Sequence, residues 1–252
     1  MTGARQSADG RPVTRVAMWS GPRNISTAMM RAWENRPDTA VVDEPFYAAY
    51  LARTGLNHPG REEVIASQPT DFGEVVAGLG ASVGHGVSLA YAKHMSHHML
   101  PDDDLEWTHA FRNILLIRDP EQVVASYVRS RESCESDDIG IPQQARLWEQ
   151  WQRAGLDVPV IDATDFLGDP AAYLRWVCEW LEIDFTDAML SWPAGPRSSD
   201  GVWAPYWYDS VHASTGFARY EPRAVTLSDH DHRVAEACRP TYEMLHEQRV
   251  RL

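Results

Sequence analysis

The chain has 252 residues, 44% of them hydrophobic, and a formal net charge of −13 at pH 7. This length and composition can bury a full core, and we predict one domain over residues 13–252 after a disordered tail over residues 1–12. The negative charge excludes broad attraction to nucleic acid or to an anionic membrane surface, because both would be repelled. An anionic ligand must therefore meet locally concentrated arginine and lysine. The composition leaves the oligomeric state open, a homodimer included.

Cysteine usage and hydropathy predict a cytoplasmic protein. The three cysteines are Cys134, Cys178 and Cys238, an odd number without paired spacing, which favours reduced thiols over a disulfide framework. No apolar run reaches the length of a membrane span, and the polar start lacks the apolar region of a signal peptide. We therefore expect no membrane partner.

Short apolar runs bounded by turn residues recur along the chain and predict five strands. They are Thr14–Trp19, Thr39–Val42, Gly86–Ala92, Asn113–Ile117 and Val158–Asp162. Helical spacing of apolar residues lies between several of them. This alternation predicts a three-layer α/β fold, in which a mostly parallel sheet is flanked by helices.

The second half of the chain mixes firm helix signals with irregular stretches. An Asp cap followed by Pro predicts a helix over residues 169–181. The charged segment 129–143 is predicted to be a mobile loop before a helix at about 145–154. Residues 191–217 are rich in Pro, Gly, Ser and aromatic residues, and their Trp and Tyr side chains are predicted to form a lid. A last helix is expected at about 231–249.

The segment 16–33 carries the first functional signal. It reads VAMWSGPRNISTAMMRAW, an apolar strand followed by a Gly-Pro turn and an amphipathic helix. This order places free backbone N–H groups, a guanidinium and two hydroxyls at a helix N-terminus, where an anion is favoured. It predicts a phosphate-binding loop. The residues expected to contact the phosphate are Gly21, Pro22, Arg23, Asn24, Ile25, Ser26 and Thr27.

The segment 114–128 carries the second signal. It reads ILLIRDPEQVVASYV, a buried strand that ends at Arg118, followed by a helix that Asp119 caps and Pro120 begins. Ser126 lies two turns along that helix on the same face as its cap. Arg118 and Ser126 are therefore predicted to hold one further phosphate.

The first loop differs from that of the nucleoside triphosphatases, which carry G-x-x-x-x-G-K-[ST]. Gly21 is followed five positions later by Ser26, and the loop has no lysine. An ATP-dependent kinase of small molecules or nucleotides stays open as an alternative, as does a nucleotide-binding module without catalytic activity.

The two segments together resemble the PAPS-dependent sulfotransferases, which have a P-loop-like fold. In that family a basic residue followed three and four positions later by two hydroxyl residues binds the 5′-phosphosulfate, as in Arg23, Ser26 and Thr27. A strand-terminal Arg followed eight positions later by Ser holds the 3′-phosphate, as in Arg118 and Ser126. The resemblance implies PAPS as the sulfuryl donor and PAP as the product.

A third stretch, residues 161–183, is similar to the family's strand, acidic-Leu stretch and Asp-Pro helix start. The resemblance thus runs in family order over residues 14–185. Two departures stand out. Arg23 replaces the commoner lysine, and the C-terminal loop that closes over the cofactor has no basic-Gly pair here. Gly216 in the STGFAR stretch is the nearest equivalent and is expected to contact the cofactor.

The resemblance also implies which groups react. Glu44 follows the second predicted strand, at the edge where ligands gather in open α/β folds, and is similar to the base of glycan-modifying sulfotransferases. Lys93 and His94 follow the third strand, where small-molecule sulfotransferases carry Lys-x-His with His as the base. Glu44 is the preferred base and His94 the alternative. Lys93 and Arg23 are predicted to stabilise the transferring sulfonate and the leaving phosphate.

The predicted reaction is in-line, metal-independent sulfuryl transfer to a hydroxyl or amine of a small-molecule acceptor. His94, His97 and His98 are close in sequence, but no Glu accompanies them as in the zinc motif H-E-x-x-H. We therefore predict that they are surface or pocket-lining histidines and that no metal is bound.

Overall fold

The computed structural model describes residues 12–129, 131, 134–221 and 225–252. The predicted N-terminal tail lies outside the described residues except for Pro12. Among the described helices, none combines the length and apolarity needed to cross a membrane.

The core of the fold is a parallel sheet of five strands in the order β2-β3-β1-β4-β5. The strands are β1 Thr14–Ser20, β2 Thr39–Asp43, β3 Leu89–Met95, β4 Arg112–Ile117 and β5 Val160–Asp162. All five predicted strands are confirmed. The third begins three residues later than expected, because Gly86 has a φ of 77° and belongs to the turn that precedes it.

Helices cover both faces of the sheet. Within the described residues they are α1 Ser26–Glu34, α2 Tyr47–Thr54, α3 Arg61–Ser67, α4 Phe72–Leu79, α5 Pro120–Tyr127, α6 Ile141–Arg153, α7 Ala163–Gly168, α8 Pro170–Trp180, α9 Ala204–Trp207, α10 Asp209–His212 and α11 Asp229–Glu247. Short 3₁₀ turns lie at Ser96–His98, Glu106–Ala110, Ser136–Ile139 and Asp187–Leu190.

Two hydrophobic cores lie on opposite faces of the sheet. Because side chains alternate along a strand, Trp19 of β1 points into one core and Met18 into the other. The first core packs against α5, α6 and α11, and the second against α1 and α8. The predicted three-layer α/β class is confirmed.

The helix starts follow their capping signals. The carboxylate of Asp119 accepts hydrogen bonds from the first backbone N–H groups of α5, and Asp169 does the same for α8. Helix α6 begins four residues earlier than predicted, at Ile141, because the left-handed Gly140 ends the preceding turn and Pro142 suits a first helical turn. The segment predicted to be a loop thus contains a 3₁₀ turn and the start of a helix.

The turn before α6 packs against the predicted phosphate loop. A Cβ atom added to Gly21 would lie 2.1 Å from the carbonyl oxygen of Ile139 and 4.0 Å from the Cα of Gly140. A glycine at position 21 is therefore required for the backbone of this turn to approach the loop. This packing fixes the loop at Gly21.

Substituting Gly21→Ala should lower the free energy of unfolding by about 1–3 kcal/mol, because the added methyl group overpacks two backbone segments. Urea unfolding measures the change. Gly78→Ala in α4 is the matched control, since its Cβ would meet no atom of the described residues within 4 Å. The control should be neutral or stabilising by up to about 1 kcal/mol, and equal effects of the two substitutions would contradict the packing argument.

Candidate active site

The carboxyl ends of the parallel strands meet at one edge of the sheet and surround a cavity of about 400 Å³. Side chains from the ends of β1, β2, β3 and β4 line it. Among the predicted site residues, those lining the cavity are Pro22, Arg23, Asn24, Ile25, Ser26, Thr27, Glu44, Lys93, Arg118, Ser126 and Gly216. Gly21 supports the loop from behind, and His94 does not line the cavity.

Asn24 fixes the conformation of the loop that is predicted to bind phosphate. Asn24 donates from Nδ2 to the carbonyl oxygen of Leu116 in β4 over 3.1 Å, and its Oδ1 accepts from the N–H of Ile25 over 2.8 Å. Arg23 has a φ of 56°, in the left-handed region that a non-glycine residue rarely adopts. The Asn24 bonds hold the loop in this conformation and leave the N-terminus of α1 facing the cavity.

The two predicted phosphate sites are joined directly. Arg118 donates from Nη1 to the carbonyl oxygen of Arg23 over 2.7 Å, and Arg23 donates from Nε to the Ser126 hydroxyl over 3.1 Å. Gln122 supports Arg118 through its side-chain oxygen at 3.3 Å and 3.4 Å. Sequence spacing paired Ser126 with Arg118, whereas the structure places its hydroxyl on Arg23.

The guanidinium groups of this site lie close enough together for their charges to act on one another. Burial lowers the pKa of Arg23 and of Arg118, and the charge of Arg129 lowers both further. Neither Arg23 nor Arg118 forms an ion pair with a carboxylate of the described residues. Arg129 also lines the cavity, and the sequence analysis missed it because it lies beyond the end of α5. An anion would relieve this concentration of positive charge.

A cluster of two carboxylates, a lysine and a tyrosine forms the other side of the cavity. The ammonium of Lys93 lies 2.9 Å from Asp43 Oδ1 and 2.8 Å from Glu44 Oε1. The hydroxyl of Tyr208, from the lid segment, donates to Asp43 over 2.7 Å. We call these four residues the carboxylate-lysine cluster. Asp43 is a residue that the sequence analysis did not single out, although it precedes Glu44 directly.

The electrostatics of the cluster favour a charged lysine and a basic glutamate. Burial raises the pKa of Glu44, Lys93 opposes that rise, and the charge of Asp43 adds to it. Burial alone would lower the pKa of Lys93, but the charges of Asp43 and Glu44 outweigh burial and raise it. Lys93 therefore stays cationic, and Glu44 binds a proton more readily than an exposed glutamate.

His94 lies on the other face of β3, which removes the geometric basis for treating it as an alternative base. Neighbouring strand residues point to opposite faces, so Lys93 faces the cavity while His94 enters the core. Its ring stacks on Trp19 with centroids 4.2 Å apart, and burial lowers its pKa to about 3. Neither of its ring nitrogens has a hydrogen-bond partner among the described residues.

Neutral aromatic and imidazole rings form the wall next to Glu44. Tyr47 of α2 shares a hydrogen bond of 2.8 Å with Nδ1 of His58 and stacks on His98 at 4.8 Å. Burial lowers the pKa of His58 to about 4 and that of His97 to about 3, so these imidazoles are neutral. The sequence analysis expected His97 and His98 at a surface or pocket, and they line the cavity. It missed Tyr47 and His58.

The lid segment supplies the remaining wall. Trp207 of α9, Val211 of α10 and Tyr208, which lies between the two helices, line the cavity. Asp200 holds this segment to α1, because its carboxylate accepts from the buried guanidinium of Arg31. Residues distant in sequence from both phosphate motifs therefore complete the site.

Comparison with known proteins identifies the family. A family model described as a sulfotransferase domain matches residues 14–248. The chain belongs to the sulfotransferase family. The chain is also similar to two curated relatives from Arabidopsis thaliana, the branched-chain-amino-acid aminotransferase-like proteins 1 and 2. Their sequence identities are 36% and 33%, in each case over 232 residues or 91% of this chain. The chain spans 41% of the length of each relative.

Solved sulfotransferase domains share the fold. The domain from the curacin biosynthetic pathway has a TM-score of 0.53 and 15% identity, covering 90% of this chain and 98% of that one. The domain from the Synechococcus PCC 7002 olefin synthase has a TM-score of 0.51 and 18% identity, covering 94% and 97%. At these identities the similarity supports the sulfotransferase fold alone.

The placement of His94 gives a direct test against a catalytic role. Removal of a general base lowers the rate by about 100-fold or more. Replacing His94→Leu should cause a much smaller loss of sulfuryl transfer, because the ring does not reach the cavity. Steady-state rates measure this, with circular dichroism as the check that the variant is folded. A folded variant that had lost activity on that scale would return His94 to the reaction.

Proposed function

We propose that the chain transfers the sulfuryl group of PAPS to a hydroxyl or amine of a small-molecule acceptor. One observation carries this proposal. The Arg23 loop, the Arg118 site and three members of the carboxylate-lysine cluster all line a single cavity at the carboxyl edge of the sheet; the three members are Glu44, Lys93 and Tyr208.

The residues present fit a nucleotide with phosphate groups at both ends. The N-terminus of α1, the hydroxyls of Ser26 and Thr27 and the guanidinium of Arg23 are suited to the 5′-phosphosulfate. Arg118 is suited to the 3′-phosphate, and Ser126 of α5, whose hydroxyl accepts a hydrogen bond from Arg23, lines the same cavity. In support, the guanidinium groups are half-buried and form no ion pairs with carboxylates of the described residues.

The proposed reaction needs a base, positive charge at the leaving group and little water. The acceptor oxygen or nitrogen forms a bond to sulfur while the bond from sulfur to the 5′-phosphate oxygen breaks. Glu44 takes the acceptor proton, and PAP leaves with the electron pair of the broken bond. Arg23 stabilises the charge that develops on the leaving phosphate. Lys93 acts on the sulfonate oxygens through its positive charge alone, because its three N–H donors point to acceptors of the carboxylate-lysine cluster.

Calorimetric binding of PAP, AMP and ATP tests the donor. Without metal, PAP should bind about 10–100-fold more tightly than AMP, because the 3′-phosphate adds charge-assisted hydrogen bonds worth roughly 1.5–3 kcal/mol. Arg118→Ala and Ser126→Ala should each reduce that advantage.

The matched control for these titrations is Arg153→Ala, which removes an arginine that is 76% exposed on α6. It should leave PAP binding unchanged. Equal affinity for PAP and AMP would contradict the 3′-phosphate site, and a strong preference for ATP with magnesium would favour a kinase instead.

Substituting Glu44→Gln should lower kcat about 100-fold to 10,000-fold, because the amide cannot accept the acceptor proton. PAP affinity should be retained, since Glu44 lies across the cavity from the arginines that are assigned to the phosphates. Steady-state kinetics with PAPS and a panel of simple phenols, alcohols and amines, together with PAP calorimetry, measure both quantities. Retention of the full rate would rule out Glu44 as the base.

A further inference from the structure

The protons of the Lys93 ammonium are all used within the carboxylate-lysine cluster. An ammonium has three N–H donors. Those of Lys93 point to Asp43 Oδ1, to Glu44 Oε1 and to the hydroxyl of Tyr208. Lys93 is 1% exposed, so it is held in one position by these three acceptors.

The hydroxyl of Tyr208 also uses its proton and its acceptor lone pairs in hydrogen bonds to neighbouring side chains. It accepts hydrogen bonds from Lys93 and from the indole N–H of Trp203, the latter over 3.0 Å. A hydroxyl has a single proton to donate. Asp43 is its nearest carboxylate, at 2.7 Å and 2.9 Å, whereas Glu44 Oε1 lies 3.4 Å away. The Tyr208 proton therefore goes to Asp43.

The two carboxylate oxygens of Glu44 differ in their hydrogen bonding. Its Oε1 accepts from Lys93, while Oε2 accepts no hydrogen bond from any described residue. Asp43, by contrast, accepts at both oxygens, because Oδ2 also receives the backbone N–H of Gly201 over 3.2 Å. The two adjacent carboxylates thus differ in their capacity to accept a new proton.

We propose that Asp43 is a positioning residue, which engages Tyr208, Gly201 and one proton of Lys93 so that Oε2 of Glu44 stays unpaired to receive the acceptor proton. This inference rests on the proposed function. It assigns different roles to two neighbouring carboxylates: Glu44 reacts with the acceptor, and Asp43 acts only through Lys93, Tyr208 and Glu44.

The negative charge of Asp43 also favours the binding of a proton by Glu44. Lys93 carries one positive charge against two carboxylates, so the cluster has an excess negative charge that favours protonation of Glu44. Tyr47 from α2 and Tyr208 stay neutral because burial raises their pKa.

Two further groups near the cluster keep a constant charge. Burial keeps the pKa of His98 well below its usual value, so this ring is neutral. The guanidinium of Arg23 lines the same cavity from the opposite side and stays cationic at any pH where the protein is folded. Removing the charge of Asp43 would therefore act directly on Glu44.

Asp43→Asn tests the inference, because the amide keeps the size of the side chain and loses the charge. With glutamate labelled at the ¹³C side-chain carboxyl, the Glu44 resonance is assigned by its absence in Glu44→Gln. Its titration midpoint should fall by about one pH unit in Asp43→Asn, because a nearby negative charge is lost. The acid limb of the kcat profile should move to lower pH by a similar amount, and kcat should fall because the base is weaker.

Tyr208→Phe is the matched variant, since it removes a hydrogen bond of the cluster and keeps every charge. Its Glu44 midpoint should stay near that of the unmodified protein, and this result can be read even if Asp43→Asn fails to fold. A large shift in Tyr208→Phe would assign control of Glu44 to the tyrosine and overturn the inference. An unchanged midpoint in folded Asp43→Asn would overturn it as well.

A double-mutant cycle separates positioning from a merely structural role. If Asp43 acts through Glu44, adding Asp43→Asn to Glu44→Gln should cause no further loss of kcat, whereas additive losses would contradict the inference. Calorimetry with PAP keeps the two proposals distinct. Failure of the unmodified protein to bind PAP would overturn the proposed function and leave the titration of Glu44 unaffected.

Discussion

The parallel register of the five-stranded sheet is the constraint on which the site depends. Because all strands run in one direction, their carboxyl ends meet at one edge, and the loops that follow β1, β2, β3 and β4 open into the same cavity. Arg118, at the end of β4, then donates to the backbone of Arg23, after β1. This hydrogen bond between neighbouring strand ends, with those from Asn24 to Leu116 and from Arg23 to Ser126, joins two motifs that are distant in sequence.

The site separates opposite charges across the cavity. Arginines without acidic partners among the described residues lie on one side, and two buried carboxylates sharing one lysine lie on the other. Burial makes both arrangements costly unless each is balanced, which the anionic donor would do for the arginines and Lys93 does for Asp43 and Glu44. Neutral rings next to Glu44 add no further charge. This arrangement is suited to binding a strongly anionic donor and a proton-releasing acceptor together.

Local sequence patterns predicted most of the fold. The predictions that differ from the structure concern positions that long-range packing determines. The strand runs and the Asp-Pro helix starts at Asp119 and Asp169 depend on short-range capping and burial, so they could be identified from sequence. The start of α6 could not, because Gly140 adopts its left-handed turn against the phosphate loop. His94 was misplaced because a one-residue difference from the Lys-x-His pattern turns a strand side chain to the opposite face of the sheet.

The sequence alone predicted the phosphate loop and the Arg118 site and determined the position of Glu44 after a strand, because each depends on a few consecutive residues. Only the tertiary structure decided the partners of those groups. Tyr208, His58 and Arg129 reach the cavity from three separate segments, Asp43 contacts Tyr208 behind them, and no spacing in the chain relates these residues. Contacts between distant segments depend on how the helices and the lid pack on the sheet, and that packing is a property of the whole chain.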